Sequence, residues 1–220
     1  MSKLFWDQTT EKLYETGIEQ VALYKQVEGA YPQGVAWNGI TALNLTPSGA
    51  EPTPLYANNR KYLTLMSVEE LGGTIEAYTY PEEWEECDGS AEAVAGVYIG
   101  QQTRATFGLV GKTLIGNDTE GTKHGYKLHL VYGCLASPAE ESHTTVNDSP
   151  EAVTFSWEFS TTPVDVPGFA ATSYLCIDST KVDAEKLAAL EAKLYGSESE
   201  SAMLPLPAEV LTLVGATAAG

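Results

Sequence analysis

Residues 152–164 read AVTFSWEFSTTPV, and from Val153 to Ser160 apolar and polar side chains alternate without a break. One side of this stretch carries Val153, Phe155, Trp157 and Phe159, and the other carries Thr154, Ser156, Glu158 and Ser160. A period of two is typical of a β-strand with one buried and one solvent-facing side, and a helix cannot produce it. Burying such side chains stabilises a fold by at most roughly 1.5–3 kcal/mol each. The pattern therefore predicts a strand in the middle of a core.

The composition of the chain describes an acidic protein that can form a sizeable core. Of its 220 residues, 43% are hydrophobic, which predicts one large domain rather than a disordered chain. There are 30 acidic and 12 basic residues, so the formal net charge is -18. Tight binding to a phosphate backbone needs a dense Lys/Arg surface, so the sequence argues against a protein that grips nucleic acid.

Alternation and turn residues predict further strands on both sides of this stretch. We expect strands over residues 18–27, 34–45, 62–66, 74–80, 126–132 and 171–177, with a bend at Gly39 and with residues 71–73 as a separator. The strand over 126–132 is expected to pair with the strand over 152–164. Residues 183–195 have leucines at helical spacing and predict the one helix. The predicted core comprises Trp37, Leu128, Leu130, Phe155, Trp157, Phe159, Leu187, Leu190 and Leu194.

Three segments lack a regular pattern and are predicted to lie outside the core. Residues 1–17 carry aromatics without a period and suggest an N-terminal arm, and residues 197–220 suggest a C-terminal tail. Residues 46–59 contain Pro47, Pro52 and Pro54, which predicts a long, exposed, irregular loop. The acidic run over 82–88 lacks the ligand spacing of a calcium loop, so a solvated loop is expected there.

No catalytic or metal-binding constellation stands out. His124, His129 and His143 are scattered, without zinc-ligand spacing or a serine elbow to pair with. Residues 106–113 end like a phosphate-binding loop but have Thr106 where the motif needs glycine. The odd number of cysteines predicts free thiols, with Cys134 and Cys176 as buried hydrophobes in a reducing compartment. We expect no cofactor, no metal and no enzymatic activity, and no membrane span.

Several stretches, in this order and spacing, resemble the major tail protein of bacteriophages with long, non-contractile tails. They are LYANNRKY at 55–62, EELGGTIEAYTYPEEW at 69–84 with CDG following, GYKLHLVYGC at 125–134, TFSWEFSTTPV at 154–164 and IDSTKVD at 177–183. The resemblance implies a mainly β, sandwich- or barrel-type tail tube domain over residues 1–196 with one flanking helix. It also implies hexameric rings that stack into a tube around a tape measure protein.

Such a tube ends at tail terminator and distal tail proteins, and double-stranded DNA passes through its lumen without specific binding. The protein would then lie in the virion tail after assembly in the cytoplasm of the host bacterium. The alternation of side chains makes Glu76, Thr154, Ser156 and Glu158 candidates for the lumen. The Pro-rich loop supplies candidates for contacts between rings, namely Thr46, Pro47, Ser48, Glu51, Pro52, Pro54, Tyr56 and Asn58. An acidic virion decoration or binding module and an unrecognised enzyme are the alternatives.

Overall fold

The computed structural model describes residues 3–9, 11–143, 145 and 152–215, and this part of the chain is mainly β. Its strands are β1 Tyr14–Lys25, β2 Gly34–Ala36, β3 Ile40–Gly49, β4 Pro52–Ala57, β5 Arg60–Met66, β6 Glu69–Ala77, β7 Ala91–Val94, β8 Val97–Ile99, β9 Phe107–Asn117, β10 Gly121–Ala136, β11 Phe155–Thr161 and β12 Tyr174–Asp178. Its helices are α1 Trp84–Asp88, α2 Ala184–Tyr195 and α3 Pro207–Val214.

The main sheet is antiparallel and has the strand order β2-β1-β9-β10-β11-β6-β3, with β12 beside β10. The long strand β10 changes partners along its length: residues 127–131 pair with β12, whereas residues 134–136 pair with β11. Between these two regions Gly133 has φ +62°, and a Cβ atom there would clash with the carbonyl of Thr162. Only glycine suits this backbone, so Gly133 marks the point at which the sheet turns.

The inner core lies between the two halves of this folded sheet. It joins Val21 and Leu23 of β1, Phe107 and Leu109 of β9, Ile75 of β6 and the aromatic side chains of β11. The helix α1 closes one end of this core, because Trp84 packs with its ring centroid 4.7 Å from that of Trp37 and 5.2 Å from that of Trp157. The aromatic row of β11 is therefore central to the fold.

A second core lies on the other face of β1, β9 and β10, under the helices α2 and α3. Leu187, Leu190 and Leu194 of α2 contact Leu128, Leu130 and their neighbours in this cluster. The hydroxyl of Tyr24 donates to the carbonyl of Leu194 at 2.5 Å, and that of Tyr132 donates to the carbonyl of Pro205 at 3.0 Å. The outer face of the half of the sheet formed by β1, β9 and β10 is thus covered by helices.

The strand at the centre of the sequence prediction is present. In β11 Trp157 and Phe159 are buried and Phe155 is half-buried, whereas Ser156, Glu158 and Ser160 are exposed. Val153 precedes the strand and is 40% exposed. The predicted helix is confirmed, and Asp183 caps α2 by accepting from the backbone N–H groups of Glu185 and Lys186. The predicted pairing of this strand with residues 126–132 is wrong: β11 pairs with residues 134–136 of β10, whereas residues 127–131 pair with β12, because the sheet turns at Gly133. The other predicted core residues are buried: Trp37, Leu128, Leu130, Leu187, Leu190 and Leu194.

The prediction of an irregular loop over residues 46–59 is wrong. Residues 46–49 complete β3, and β4 pairs with β5 from Pro52 opposite Met66 to Ala57 opposite Arg60. Both β3 and β4 are edge strands, and an edge strand tolerates proline where the nitrogen faces away from its partner. The segment is exposed, as predicted, but it forms the first half of a projecting β-hairpin.

The two terminal segments also differ from expectation. β1 begins at Tyr14, so residues 14–17 belong to a strand rather than to the arm. The predicted tail contains α3, which is held to the second core by the buried side chains of Leu204 and Val210. Parts of the predicted arm and tail, residues 1, 2, 10 and 216–220, lie outside the described residues.

Three smaller predictions are corrected. Residues 71–73 do not separate two strands, because they lie within β6. The acidic run over 82–88 contains α1, which buries Trp84 and Cys87, so the described chain has three helices where one was expected. Cys176 is exposed, whereas Cys134 is buried as predicted. Pairing with β3 and β11 holds residues 71–73 in a strand, and packing of Trp84 in the inner core holds α1, and neither contact has a local signal.

Candidate functional site

The outer face of β3, β6 and β11 has no helix packed on it among the described residues, and it brings three of the predicted lumen residues together. Ser156 lies opposite Glu76, and Glu158 lies opposite Thr74, in the register of β11 and β6. Ser156 and Glu158 are exposed, and Glu76 is half-buried. Thr154 is exposed but precedes β11, so it does not belong to the paired strands. We call this surface the bare face.

The bare face is acidic and otherwise built from small polar side chains. The pairing of β11 with β6 and of β6 with β3 shows which residues lie on the bare face: Ala42, Asn44, Thr46, Ser48, Glu70, Thr74, Glu76, Ser156, Glu158 and Ser160. The three strands contain no lysine or arginine. Within the described residues, no ion pair neutralises Glu70, Glu76 or Glu158. The face therefore presents uncompensated negative charge.

Cations on the rest of the domain are largely engaged in ion pairs. Lys112 lies 3.1 Å from Glu19, Lys25 lies 2.9 Å from Glu86, and Lys193 on α2 lies 2.6 Å from Glu209 on α3. The ammonium group of Lys112 also lies 4.5 Å from the ring centroid of Tyr126. These pairs join elements around β1, β9 and the helices, so they do not reduce the charge of the bare face.

The residues predicted to contact a neighbouring ring lie along the projecting hairpin of β3–β6. Thr46, Pro47 and Ser48 end β3, Glu51 lies at the kink before β4, and Pro52, Pro54 and Tyr56 lie on β4. Asn58 and Asn59 form the turn, with φ +50° and +58°. Positive φ at both central residues is the geometry that hairpin turns prefer, and asparagine tolerates it well. This Asn-Asn pair is the signal that could have identified the hairpin in the sequence.

The hairpin exposes apolar side chains along its whole length. All residues from 51 to 70 are exposed, including Leu55, Tyr56, Tyr62, Leu63, Leu65, Met66 and Val68. The short ribbon of β7 and β8, which was not predicted, exposes Val94, Val97, Tyr98 and Ile99. The N-terminal arm exposes Phe5 and Trp6. An isolated two-stranded hairpin is at best marginally stable in water. These elements therefore have the character of surfaces that another molecule covers.

A cleft of about 640 Å³ lies beside β1, where the turn before β3 approaches α2. Its lining includes Gln20, Trp37 and Tyr195. Gln20 has φ +51° and occupies an irregularity in the pairing of β1 with β9. The lining contains Glu19 and Tyr195 but no cysteine, histidine or serine.

The histidines occupy three separate environments. His129 bonds to the hydroxyl groups of Thr113 and Tyr174 at 2.7 Å each, and burial lowers the pKa of its imidazole. His124 lies 2.7 Å from a carboxylate oxygen of Glu120, and His143 lies 3.7 Å from one of Glu141. Across the described ranges, no three His, Cys, Asp or Glu side chains are placed to hold a metal ion together.

None of the helices in the described part of the chain has the length and apolar character needed to cross a membrane. No protein-family model matches the chain, and no curated protein sequence matches it either. The surfaces of the domain itself are therefore the basis for a functional assignment.

Proposed function

We propose that the chain is the tail tube subunit of a bacteriophage with a long, non-contractile tail. In this proposal hexameric rings stack into a tube around a tape measure protein, between a tail terminator and a distal tail protein. The support comes from the motifs quoted above and from a mainly antiparallel β domain whose helices α2 and α3 lie on one side only. The tube conducts double-stranded DNA and is part of the virion.

The observation that carries the proposal is the contrast between the outer faces of the two halves of the folded sheet. One face is covered by α2 and α3, whereas the bare face carries carboxylates, hydroxyls and no cation. DNA carries about one negative charge per 1.7 Å of axis, so a channel lined with carboxylates has no affinity for its backbone. Repulsion between exposed charges decays over about 8 Å at physiological salt, so it acts close to the wall. Such a surface suits passage of DNA without sticking.

The projecting elements support the self-assembly that the proposal requires. The hairpin of β4 and β5, the ribbon of β7 and β8 and the N-terminal arm leave large apolar side chains in water. Contiguous exposed apolar surface marks interaction sites in soluble proteins. The free edge of β3 adds unpaired backbone groups, which natural monomers normally protect. In a ring or tube, neighbouring subunits cover all of these.

Sedimentation velocity combined with negative-stain electron microscopy of the purified chain tests the proposal. We expect hexameric rings or tubes, in an equilibrium that depends on concentration. A compact monomer at every concentration and salt would contradict it. Knobs bound to added capsids would instead identify a decoration protein, and a monomer whose melting temperature rises with a small ligand would indicate a binding module or an enzyme.

A further inference from the structure

The two-stranded ribbon of β4 and β5, residues 52–66, carries an isolated pair of cations at its tip. Arg60 and Lys61 follow the Asn58–Asn59 turn and are exposed. Neither forms an ion pair with another described residue. All 30 acidic residues of the chain lie outside this ribbon. The tip is thus a locally basic point on a chain with a net charge of -18. We call β4–β5 the basic ribbon.

One side of the basic ribbon is a row of leucines with no element packed behind it. Leu55 lies opposite Leu63, and Thr53 lies opposite Leu65, so these side chains share a face. The leucines are 41%, 39% and 54% exposed, respectively. Among the described residues, only side chains of the ribbon itself shield these leucines from solvent. The ribbon therefore offers a partner both an apolar face and a positive end.

A surface with the complementary properties lies around α1 and the ribbon of β7–β8. A shallow cavity of about 290 Å³ there is lined by Glu82, Glu83, Glu85, Glu86, Glu92 and Tyr98. Beside it, Val94, Val97 and Ile99 are 64%, 51% and 52% exposed. Lys25 pairs with Glu86, but no described residue forms an ion pair with the other four carboxylates. We call this region, residues 82–99, the acidic surface.

We propose that the basic ribbon of one copy docks on the acidic surface of a second copy, with Arg60 and Lys61 at the carboxylates and the leucine face against the apolar side chains of β7–β8. This inference rests on the proposed function and names the contact through which subunits join. The two surfaces are different parts of the chain, so the contact is head-to-tail, and a docked pair keeps one free acidic surface on the first copy and one free basic ribbon on the second. Such a contact propagates from copy to copy rather than closing a dimer.

A second copy fits the basic ribbon better than DNA or an anionic membrane does. Two cations are too few for tight phosphate binding, and the remaining chain repels polyanions. The acidic surface supplies negative charge for the cations of the ribbon and apolar side chains against which its leucine face can pack. Charge complementarity of this kind fixes the register of an interface and speeds association.

Charge reversal on each surface tests the contact. The first variant is Arg60→Glu with Lys61→Glu, the second is Glu82→Lys with Glu83→Lys, and the third combines all four changes. The control, Lys12→Glu with Lys123→Glu, makes the same change of net charge as the first variant at exposed lysines without ion pairs among the described residues. Circular dichroism melting confirms that each variant folds. Sedimentation velocity over a concentration series in low and physiological salt measures self-association.

Each of the first two variants is expected to weaken self-association by at least about tenfold, because like charges then face each other across the contact. The combined variant is expected to recover most of the loss, and the control is expected to assemble like the unaltered chain. Assembly by the first variant at the normal concentration overturns the contact and leaves the proposed function standing, as does a combined variant that assembles no better than the single-surface variants. An unaltered chain that stays monomeric overturns both. If vesicles with anionic lipids bind the unaltered chain but not the first variant, while self-association is equal, the ribbon is a membrane contact and the inference is wrong.

Discussion

At the scale of single residues, Trp157 lies at the centre of the aromatic cluster in the inner core. Its ring centroid lies 5.8 Å from that of Trp37, 5.2 Å from that of Trp84 and 5.3 Å from that of Phe155. Its indole N–H donates to a carboxylate oxygen of Asp88 at 3.3 Å. Alternation predicted that Trp157 points inward. It could not predict Trp84 as a partner, because that residue lies in an acidic run and reaches the core only through α1.

Replacing Trp157 by alanine should lower the free energy of unfolding by about 3–5 kcal/mol, because it opens a large cavity among packed aromatic rings. Urea unfolding followed by circular dichroism measures this. Trp6 is 73% exposed, so Trp6→Ala is the matched control and should change stability by less than about 0.5 kcal/mol. Equal losses in the two variants would show that the aromatic cluster does not hold the core together.

His129 should make the fold sensitive to mild acid. Burial lowers the pKa of its imidazole, while Glu15 raises it and Lys127 lowers it further. The unfolded chain therefore takes up this proton first, near pH 6.5. The stability from the neutral ring is complete above that pH and decreases as the pH falls from it toward the lower pKa of the folded state.

We expect His129→Gln to flatten the fall in melting temperature between pH 7.5 and 5.5. The control His143→Gln alters a side chain that is 80% exposed and should keep the slope of the unaltered chain. A slope that is the same in all three proteins would mean that His129 titrates alike in the folded and unfolded chain.

At the scale of elements, α3 is a helix in a segment that the sequence pattern predicted to be an irregular tail. Its segment is mostly apolar, with only Glu209 and Thr212 as polar residues, and the prolines of the region suggested an irregular tail. In the structure Pro207 occupies the first turn, where its missing N–H costs no hydrogen bond. Gly215 ends the helix with φ +89°. Lys193 and Glu209 join α3 to α2, so the element is held by contacts that local composition cannot reveal.

Leu204 and Leu206 offer a paired test of this packing. Leu204 is 1% exposed and Leu206 is 38% exposed. Leu204→Ala should lower the free energy of unfolding by about 2–5 kcal/mol, whereas Leu206→Ala should cost less than about 1 kcal/mol. Denaturant titration measures both values. A small loss for Leu204→Ala would indicate that the C-terminal segment is dispensable for the fold.

The hairpin of β3–β6 shows the same kind of error, because it is a regular element in a segment that was predicted to be irregular. The exposure of residues 46–59 could be predicted from their prolines and polar residues. The prolines give no sign of the regular pairing of the hairpin, because a proline can also break a ladder. Whether a proline breaks a ladder depends on which way its nitrogen faces, and that depends on the partner strand. The residues that β11 and β6 contribute to the bare face could be predicted from the alternation of their side chains. That β3 completes this face depends on the pairing register of β3 with β6, which has no local signal.

At the scale of the whole molecule, the fold is a sheet that turns over at Gly133 and carries helices on one side. The mainly β class follows from alternation, but the partner switch of β10 joins residues far apart in the chain and has no local signal. Under the proposed function, this asymmetry between a covered and a bare face gives the domain an inside and an outside. In the proposed tube the bare face lines the lumen.

Reversing the charge of the bare face should slow genome ejection. Glu76→Lys with Glu158→Lys places cations where we propose that DNA passes, so the DNA should stick, and most strongly at low salt. The control Glu198→Lys with Glu200→Lys makes the same charge change in the exposed segment between α2 and α3 and should leave ejection unchanged. Ejection kinetics of assembled phage across a salt series measure the effect. An unchanged rate in well-formed tubes of the first variant would remove these residues from the channel wall.

The most direct test of the account is a cryo-electron microscopy reconstruction of the assembled chain. We expect six-fold rings in which Glu76, Ser156 and Glu158 face a central channel while α2 and α3 lie on the outside. A reconstruction in which α2 and α3 line the channel, or in which the bare face points outward to solvent, would contradict the proposed function.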